Sequence, residues 1–136
     1  MPEKVNRKSS FDSGIASEFL VLSNLFRLGA NAFISLGNKK SIDIMIKARN
    51  GSAISVDVKS VRDYSSININ NVVSKANHFI VAVIYKRKFE QPEYLPAFYI
   101  IPSSELKSIT QSFGKQDRLM KGKLVKYKDN WQQLLV

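Results

Sequence analysis

The chain has no cysteine and a single histidine, His78, among its 136 residues. The first absence excludes a disulfide-stapled scaffold, a cysteine-based zinc site and a catalytic thiol. The second excludes a histidine-rich metal centre and any mechanism that needs two imidazoles. No stretch approaches the ~20 apolar residues that span a bilayer. Residues 1–10 (MPEKVNRKSS) are polar and basic, with no apolar run behind them to make a signal peptide. These absences lead to the expectation of a cytoplasmic protein with no membrane association. Acidic residues are scarce too, 11 against 21 Lys and Arg, for a formal net charge of +10. Such an excess favours a polyanionic partner, nucleic acid before any anionic surface.

What is present suffices for a core. Hydrophobic residues make up 44% of the chain, and the length suits one domain. Residues 1–10 read as a flexible basic arm and residues 11–136 as a single domain. Residues 11–29 carry helical spacing, with Ile15, Phe19, Leu22 and Phe26 on one stripe. Asp12 or Ser13 is the expected N-cap and Gly29 the left-handed C-cap. Ala32–Leu36 reads as a short apolar strand. Ile42–Ala48 and Ser52–Lys59 alternate with period two, and Arg49-Asn50-Gly51 lies between them as a hairpin loop. Residues 60–77 are polar, with a possible helical turn at Val72–Ala76. His78–Tyr85 is apolar on both faces, as in a central strand, and Ala97–Ile101 is a further strand. Ser103 would cap a short helix over Ser104–Thr110. Residues 111–128 form a basic section of no clear type, and Asn130 opens a closing helical turn. The sum is an α/β fold around a mixed sheet.

Three carboxylates sit in unusual places. Glu18 borders the row formed by Ile15, Leu22 and Leu25 on the first helix. Asp43 and Asp57 lie inside strands, where Asp is depleted. For each residue alone, a solvent-facing position is the simpler reading. Register changes that. Setting the isoleucine and valine faces together pairs Ile46 with Ile54 and Ile44 with Val56, and this brings Asp43 opposite Asp57. The implied loop has three residues, with Gly51 left-handed. A two-residue Asn50-Gly51 turn would put the two Asp residues on opposite faces. Facing carboxylates repel, and a divalent cation turns that penalty into a binding site. Such hard oxygen donors suit magnesium or manganese. Lys59 shares the Asp57 face and stands at the rim.

The arrangement of Glu18, Asp43 and Asp57-Val58-Lys59 resembles the PD-(D/E)xK nuclease superfamily, with its restriction-endonuclease-like core. The stretches Gly14-Ile15-Ala16-Ser17-Glu18-Phe19, Leu25-Phe26-Arg27-Leu28-Gly29 and Asp43-Ile44 are similar to Holliday-junction-resolvase-like members and group I intron homing endonucleases. Phe98–Ser103 and Trp131–Leu135 extend the likeness over residues 11–135. One departure is Ile42, where the motif has proline. The resemblance implies an αβββαβ-type core, a mixed sheet flanked by helices, and metal-dependent hydrolysis of DNA phosphodiester bonds. It implies Asp43, Asp57 and the Val58 carbonyl as metal ligands, with Glu18 completing the site directly or through water. Lys59 would position the attacking water or stabilise transition-state charge. A catalytically inactive nucleic-acid-binding module on the same fold is the alternative.

Lysines and arginines gather near the C-terminus. Lys39, Lys40, Arg118, Lys121, Lys123 and Lys126 are the candidate phosphate contacts, with Tyr64 and Tyr127 available for stacking. The competing reading is a solvated charged face. His78 reads as a strand residue and Trp131 as a core anchor. One chain carries one active site, so cutting both strands of a duplex needs a homodimer, a higher oligomer or two sequential nicks.

Overall fold

The alternation of Ile44 and Ile46 against Ile54 and Val56 fixes the centre of the sheet. A computed structural model describes residues 7–35, 43–63, 66–69 and 72–136. Helix α1 (Arg7–Arg27) leads to β1 (Asn31–Ile34), β2 (Ile44–Lys47) and β3 (Ala53–Val61). A two-residue strand, β4 (Ile67–Asn68), interrupts the crossover to β5 (His78–Ile84). Then follow β6 (Ala97–Pro102), the hairpin β7 (Thr110–Phe113) and β8 (Gln116–Leu119), and 3-10 turns at Ser103–Ser108, Lys121–Lys123, Val125–Tyr127 and Trp131–Leu134.

The main sheet runs β1-β2-β3-β5-β6, and a smaller one runs β4-β8-β7. β3 and β5 are parallel while the other pairings are antiparallel, so the sheet is mixed as expected. The register also agrees with the reading of the sequence: Ile44 faces Val56 and Ile46 faces Ile54. Gly51 has φ +89° and closes the three-residue loop, whose ends bond from Ala48 N–H to Ser52 O at 2.8 Å. A side chain at that φ would be strained, so the loop that sets the register depends on glycine.

Each face of the sheet has its own core. On one face, Val21, Leu22 and Leu25 of α1 pack on Ile44, Ile46, Val56, Val81 and Ile100. On the other, Ile80, Ala82, Ile84 and Ile101 pack against Ile67, Ile69, Leu119, Leu124 and Tyr127. The second layer is thus the small sheet with its 3-10 turns, and the β3–β5 crossover carries β4 where the αβββαβ pattern puts a helix. Val72–Ala76 forms no helical turn.

Other boundaries differ for physical reasons. α1 begins at Arg7, so Asp12 and Ser13 lie inside it rather than at its cap, and residues 7–10 belong to the helix instead of an arm. Its end is as expected: Gly29 at φ +83° lets Gly29 N–H reach Phe26 O at 3.0 Å and Ala30 N–H reach Leu25 O at 2.9 Å, a Schellman closure. The buried side of α1 is not the stripe of apolar spacing. Ser13, Ser17, Val21 and Leu25 are buried, while Ile15, Phe19 and Phe26 remain 37%, 55% and 57% exposed. The serines are buried cheaply because they are bonded: Ser17 Oγ donates to Ser13 O at 2.6 Å and lies 2.8 Å from the Tyr85 hydroxyl. Ser103 likewise serves the crossover rather than capping its turn, donating to Lys75 O at 2.8 Å and accepting from Lys75 N–H at 3.0 Å.

Candidate active site

β2 pairs with β3 only over Ala53–Val56. β3 continues beside β5 as far as Val61, so from Asp57 onward its other edge is no longer paired with β2. Asp43 stands at this fork, one residue ahead of β2. Its N–H still donates to Val56 O at 2.8 Å, and its Oδ2 accepts from Val58 N–H at 2.7 Å. A side-chain oxygen therefore takes the place of a strand carbonyl, and Asp43 is held to β3 twice, by its own N–H and by its carboxylate. Because N–H and C=O of one strand residue point to the same edge, the Val58 carbonyl shares this fork.

Asp57 is 2% exposed, and its Oδ2 is buried without a hydrogen-bond partner. Its Oδ1 lies 3.5 Å from Lys59 Nζ. Burial pushes the Asp57 carboxyl up to about 6; Lys59 pulls it down, and the neighbouring Asp43 pushes it up again. Glu18 comes from α1, the layer that covers the opposite face. Burial raises its carboxyl to about 7, with further increments from Asp43 and then Asp57. The four expected catalytic residues thus share one electrostatic neighbourhood. They do not form a ready-made cage: among the described residues, no three His, Cys, Asp or Glu side chains stand close enough together to hold a metal. Asp43, Asp57 and the Val58 carbonyl are the close donors, and Glu18 is set back from them.

This donor set fits a hard divalent cation. It is all oxygen, and magnesium is commonly held by one or two carboxylates with water and substrate phosphate filling the rest. The buried Asp57 Oδ2, without a hydrogen-bond partner, is compatible with a cation there, because a lone carboxylate oxygen out of water is costly.

The expected phosphate contacts separate into groups. Lys123 and Lys126 are exposed on the 3-10 turns that follow β8, the second with its ammonium 5.0 Å from the Tyr127 ring centre. Lys121 begins the first of those turns. Arg118 is engaged structurally: Nε donates to Ser66 Oγ and Nη2 to Ser66 O, each at 2.6 Å, tying β8 to the start of β4. Tyr127 is buried and donates to Glu105 Oε1 at 2.7 Å, so it offers no stacking face. Lys39, Lys40 and Tyr64 lie outside the described residues. Trp131 packs on Phe98 as an anchor, with ring centres 5.4 Å apart.

Sequence reasoning missed a buried polar pair. Ser55 Oγ lies 2.6 Å from His78 Nδ1 across the β3–β5 register. Burial and then the Lys75 charge lower the His78 pKa, which disfavours the charged ring, and His78 serves as a strand residue. The Val58 N–H anchor on Asp43 was invisible too, since backbone donors carry no residue-type signal.

The fold is an α/β fold around a mixed five-stranded sheet. A solved structure supports this: the chain is similar to a bacterial homing endonuclease, I-Ssp6803I, with 18% sequence identity and a TM-score of 0.61, over 89% of this chain and 88% of that one. At that identity the likeness speaks for the fold alone. Neither a protein-family model nor a curated protein matches the chain. Among the described residues, no helix is long and apolar enough to cross a membrane.

Proposed function

We propose that the chain is a metal-dependent endonuclease that hydrolyses DNA phosphodiester bonds, a member of the PD-(D/E)xK type. The observation that carries this reading is the fork: two adjacent carboxylates, one with a buried unpartnered oxygen, and a lysine 3.5 Å away. The net charge of +10 and a structural neighbour that is a homing endonuclease support DNA as the substrate. Asp43, Asp57 and the Val58 carbonyl would hold magnesium or manganese, and Glu18 would reach it through water. When bound, such a cation neutralises phosphate charge and lowers the pKa of the attacking water. Asp43, fixed by the Val58 amide, keeps the site in register. Glu18, with a pKa near neutrality, accepts a proton from water at the edge of the site. The Lys59 ammonium faces charge developing on the phosphate oxygens. Lys123 and Lys126 hold the backbone of the duplex.

The test is cleavage of plasmid and branched DNA with magnesium, with manganese and with chelator. Wild type cuts only with metal, and Asp57→Ala lowers the rate about 1,000-fold or more while keeping DNA affinity. Among the described residues no three carboxylates form a compact group, which favours the second reading, a DNA-binding module on this fold without turnover. Salt-sensitive binding with no cleavage of any DNA form by wild type would establish that module instead.

A further inference from the structure

One face of the β7–β8 hairpin supports the fold and the other does not. On the inner face, Leu119 is buried in the second core, and Thr110 opposite it donates to Leu106 O at 2.6 Å. Two residues on, Ser112 and Asp117 face each other on that same side, with Ser112 Oγ donating to Asp117 Oδ1 at 2.7 Å. Both border a cleft shared with Ile69 and Leu106. Alternation then puts Gln111, Phe113, Gln116 and Arg118 together on the outer face. Gln111 and Gln116 are exposed, and Phe113 is 48% exposed. A phenylalanine half in water between two glutamines belongs to neither core.

We propose that this hairpin enters the major groove of duplex DNA, where Gln111 and Gln116 read base edges and Phe113 packs on thymine methyls. The inference rests on the DNA reading above and deepens it by naming where sequence preference resides. A major groove about 12 Å wide admits a two-stranded ribbon. Charge selects a polyanion as the occupant. Residues 111–128 hold six Lys and Arg against a single acid, Asp117, and that acid is turned inward onto Ser112. The outer face therefore offers no negative charge to the phosphates on either side of the groove. The Gln111 amide carries a donor beside an acceptor, the pattern that matches adenine in the major groove, and an aromatic side chain meets the thymine methyl of the same pair. Arg118 is a positioning residue. Its Nε and Nη2 hold Ser66 at 2.6 Å, and its Nη1 donates to Gln116 Oε1 at 3.1 Å. That ties the ribbon to β4 and leaves the Gln116 amide N–H groups as the donors toward a base. Lys123 and Lys126, on the turns that follow β8, grip the backbone; phosphate contacts set position and base contacts set preference. The second core, which the small sheet helps to build, also takes in Val61 of β3. By alternation Lys59 and Asp57 share that face, so the reading ribbon and the fork lie on one side of the main sheet.

The test is binding selection from a pool of short randomised DNA duplexes, run in chelator so that the readout is affinity and not cleavage. Wild type is expected to enrich A·T pairs at fixed positions, and changing one such pair to G·C in the selected duplex weakens binding about 10-fold. Gln111→Ala with Gln116→Ala loses the enrichment, with an unchanged circular dichroism spectrum and the salt slope of wild type. Ser112→Ala, on the inner face of the same hairpin, keeps the enrichment. Replacing thymine by uracil in the selected duplex deletes the methyl; this weakens wild type and leaves Phe113→Ala unaffected. Wild type that binds the pool without preference overturns the proposal and leaves the DNA reading standing. A double glutamine variant that keeps the preference, or a Ser112→Ala that loses it equally, also overturns it. Wild type that binds no duplex overturns the DNA reading and this proposal together.

Discussion

The fork and the C-terminal basic section hold charge in opposite ways. At the fork, Glu18, Asp43 and Asp57 gather like charges, Asp57 buried and the other two half-buried, and two of them are pushed up to about 7 and about 6. In the basic section, Lys123 and Lys126 stand in solvent on short turns. Exposed charges are screened within about 10 Å and cost the fold little. Buried like charges cost stability, and their persistence is a sign of chemistry rather than architecture. The difference teaches that in a chain of net charge +10 the scarce sign marks the site, while the abundant sign marks the approach to it.

The contrast between the two regions is greatest at Asp57. Asp57→Asn removes a buried charge whose Oδ2 has no hydrogen-bond partner and whose Oδ1 meets Lys59 only at 3.5 Å, so in chelator at pH 7.5 the variant should melt higher than wild type by about 5 °C, the equivalent of ~1 kcal/mol for a domain near this size. The same variant should lose cleavage, a split between stability and activity that a merely solvated Asp would not give. A lower melting temperature in Asp57→Asn would mean that the carboxylate is satisfied in the fold.

pH sharpens the same contrast. Both raised carboxyls bind protons more tightly in the folded state than in the unfolded chain. Their stabilising effect is therefore present below about pH 4 and lost as pH rises through about 6 and about 7. Metal-free protein should lose stability across that window, and Asp57→Asn should lose less. Magnesium affinity should run the other way, rising from pH 5 to 8 as the ligands deprotonate. Calorimetric titration at several pH values checks the sign; affinity independent of pH would remove these groups from the metal site.

The basic section should respond more gently. Lys123→Ala with Lys126→Ala should weaken binding of every DNA sequence about equally, and lower the slope of log affinity against log salt by about 2. Fluorescence anisotropy across a salt series measures it, and an unchanged slope would mean that these lysines contact no phosphate. Smallest of all is the effect of Arg118→Ala on that slope. Its guanidinium bonds to Ser66, so the variant should lose about 1–2 kcal/mol of stability with the salt slope unchanged.

Much of this was legible in the sequence where one constraint dominated. The isoleucine–valine alternation and the Gly51 loop gave the β2–β3 register, which ends one pair short of Asp43 and Asp57; the Asp43 carboxylate meets β3 at the Val58 amide instead. Gly29 marked the end of α1 because a Schellman closure needs a left-handed residue. The inner face of α1 was misread because apolar spacing marks a stripe without showing which side packs on the sheet, and because Ser13 and Ser17 are buried through hydrogen bonds that leave no hydrophobic signal. Residues 111–119 were opaque because β7 and β8 expose most of their side chains, so no period of two emerges. Arg118 looked like a phosphate contact because charge in a sequence does not reveal its partner, here a serine 52 residues away.

The two neighbours of β3 are reached by very different lengths of chain. β2 joins it through a three-residue loop, so their pairing closes locally and at small entropic cost. β5 joins it in parallel only after the crossover from Arg62 to Asn77 has been brought back, a non-local step that comes later in assembly. Asp43 and Asp57 are therefore brought near one another while the hairpin is still open to water, where their repulsion is screened. The cost appears only as β5 and the layers above and below close over them. The site is written into the earliest contacts of the sheet and comes under electrostatic load in the last.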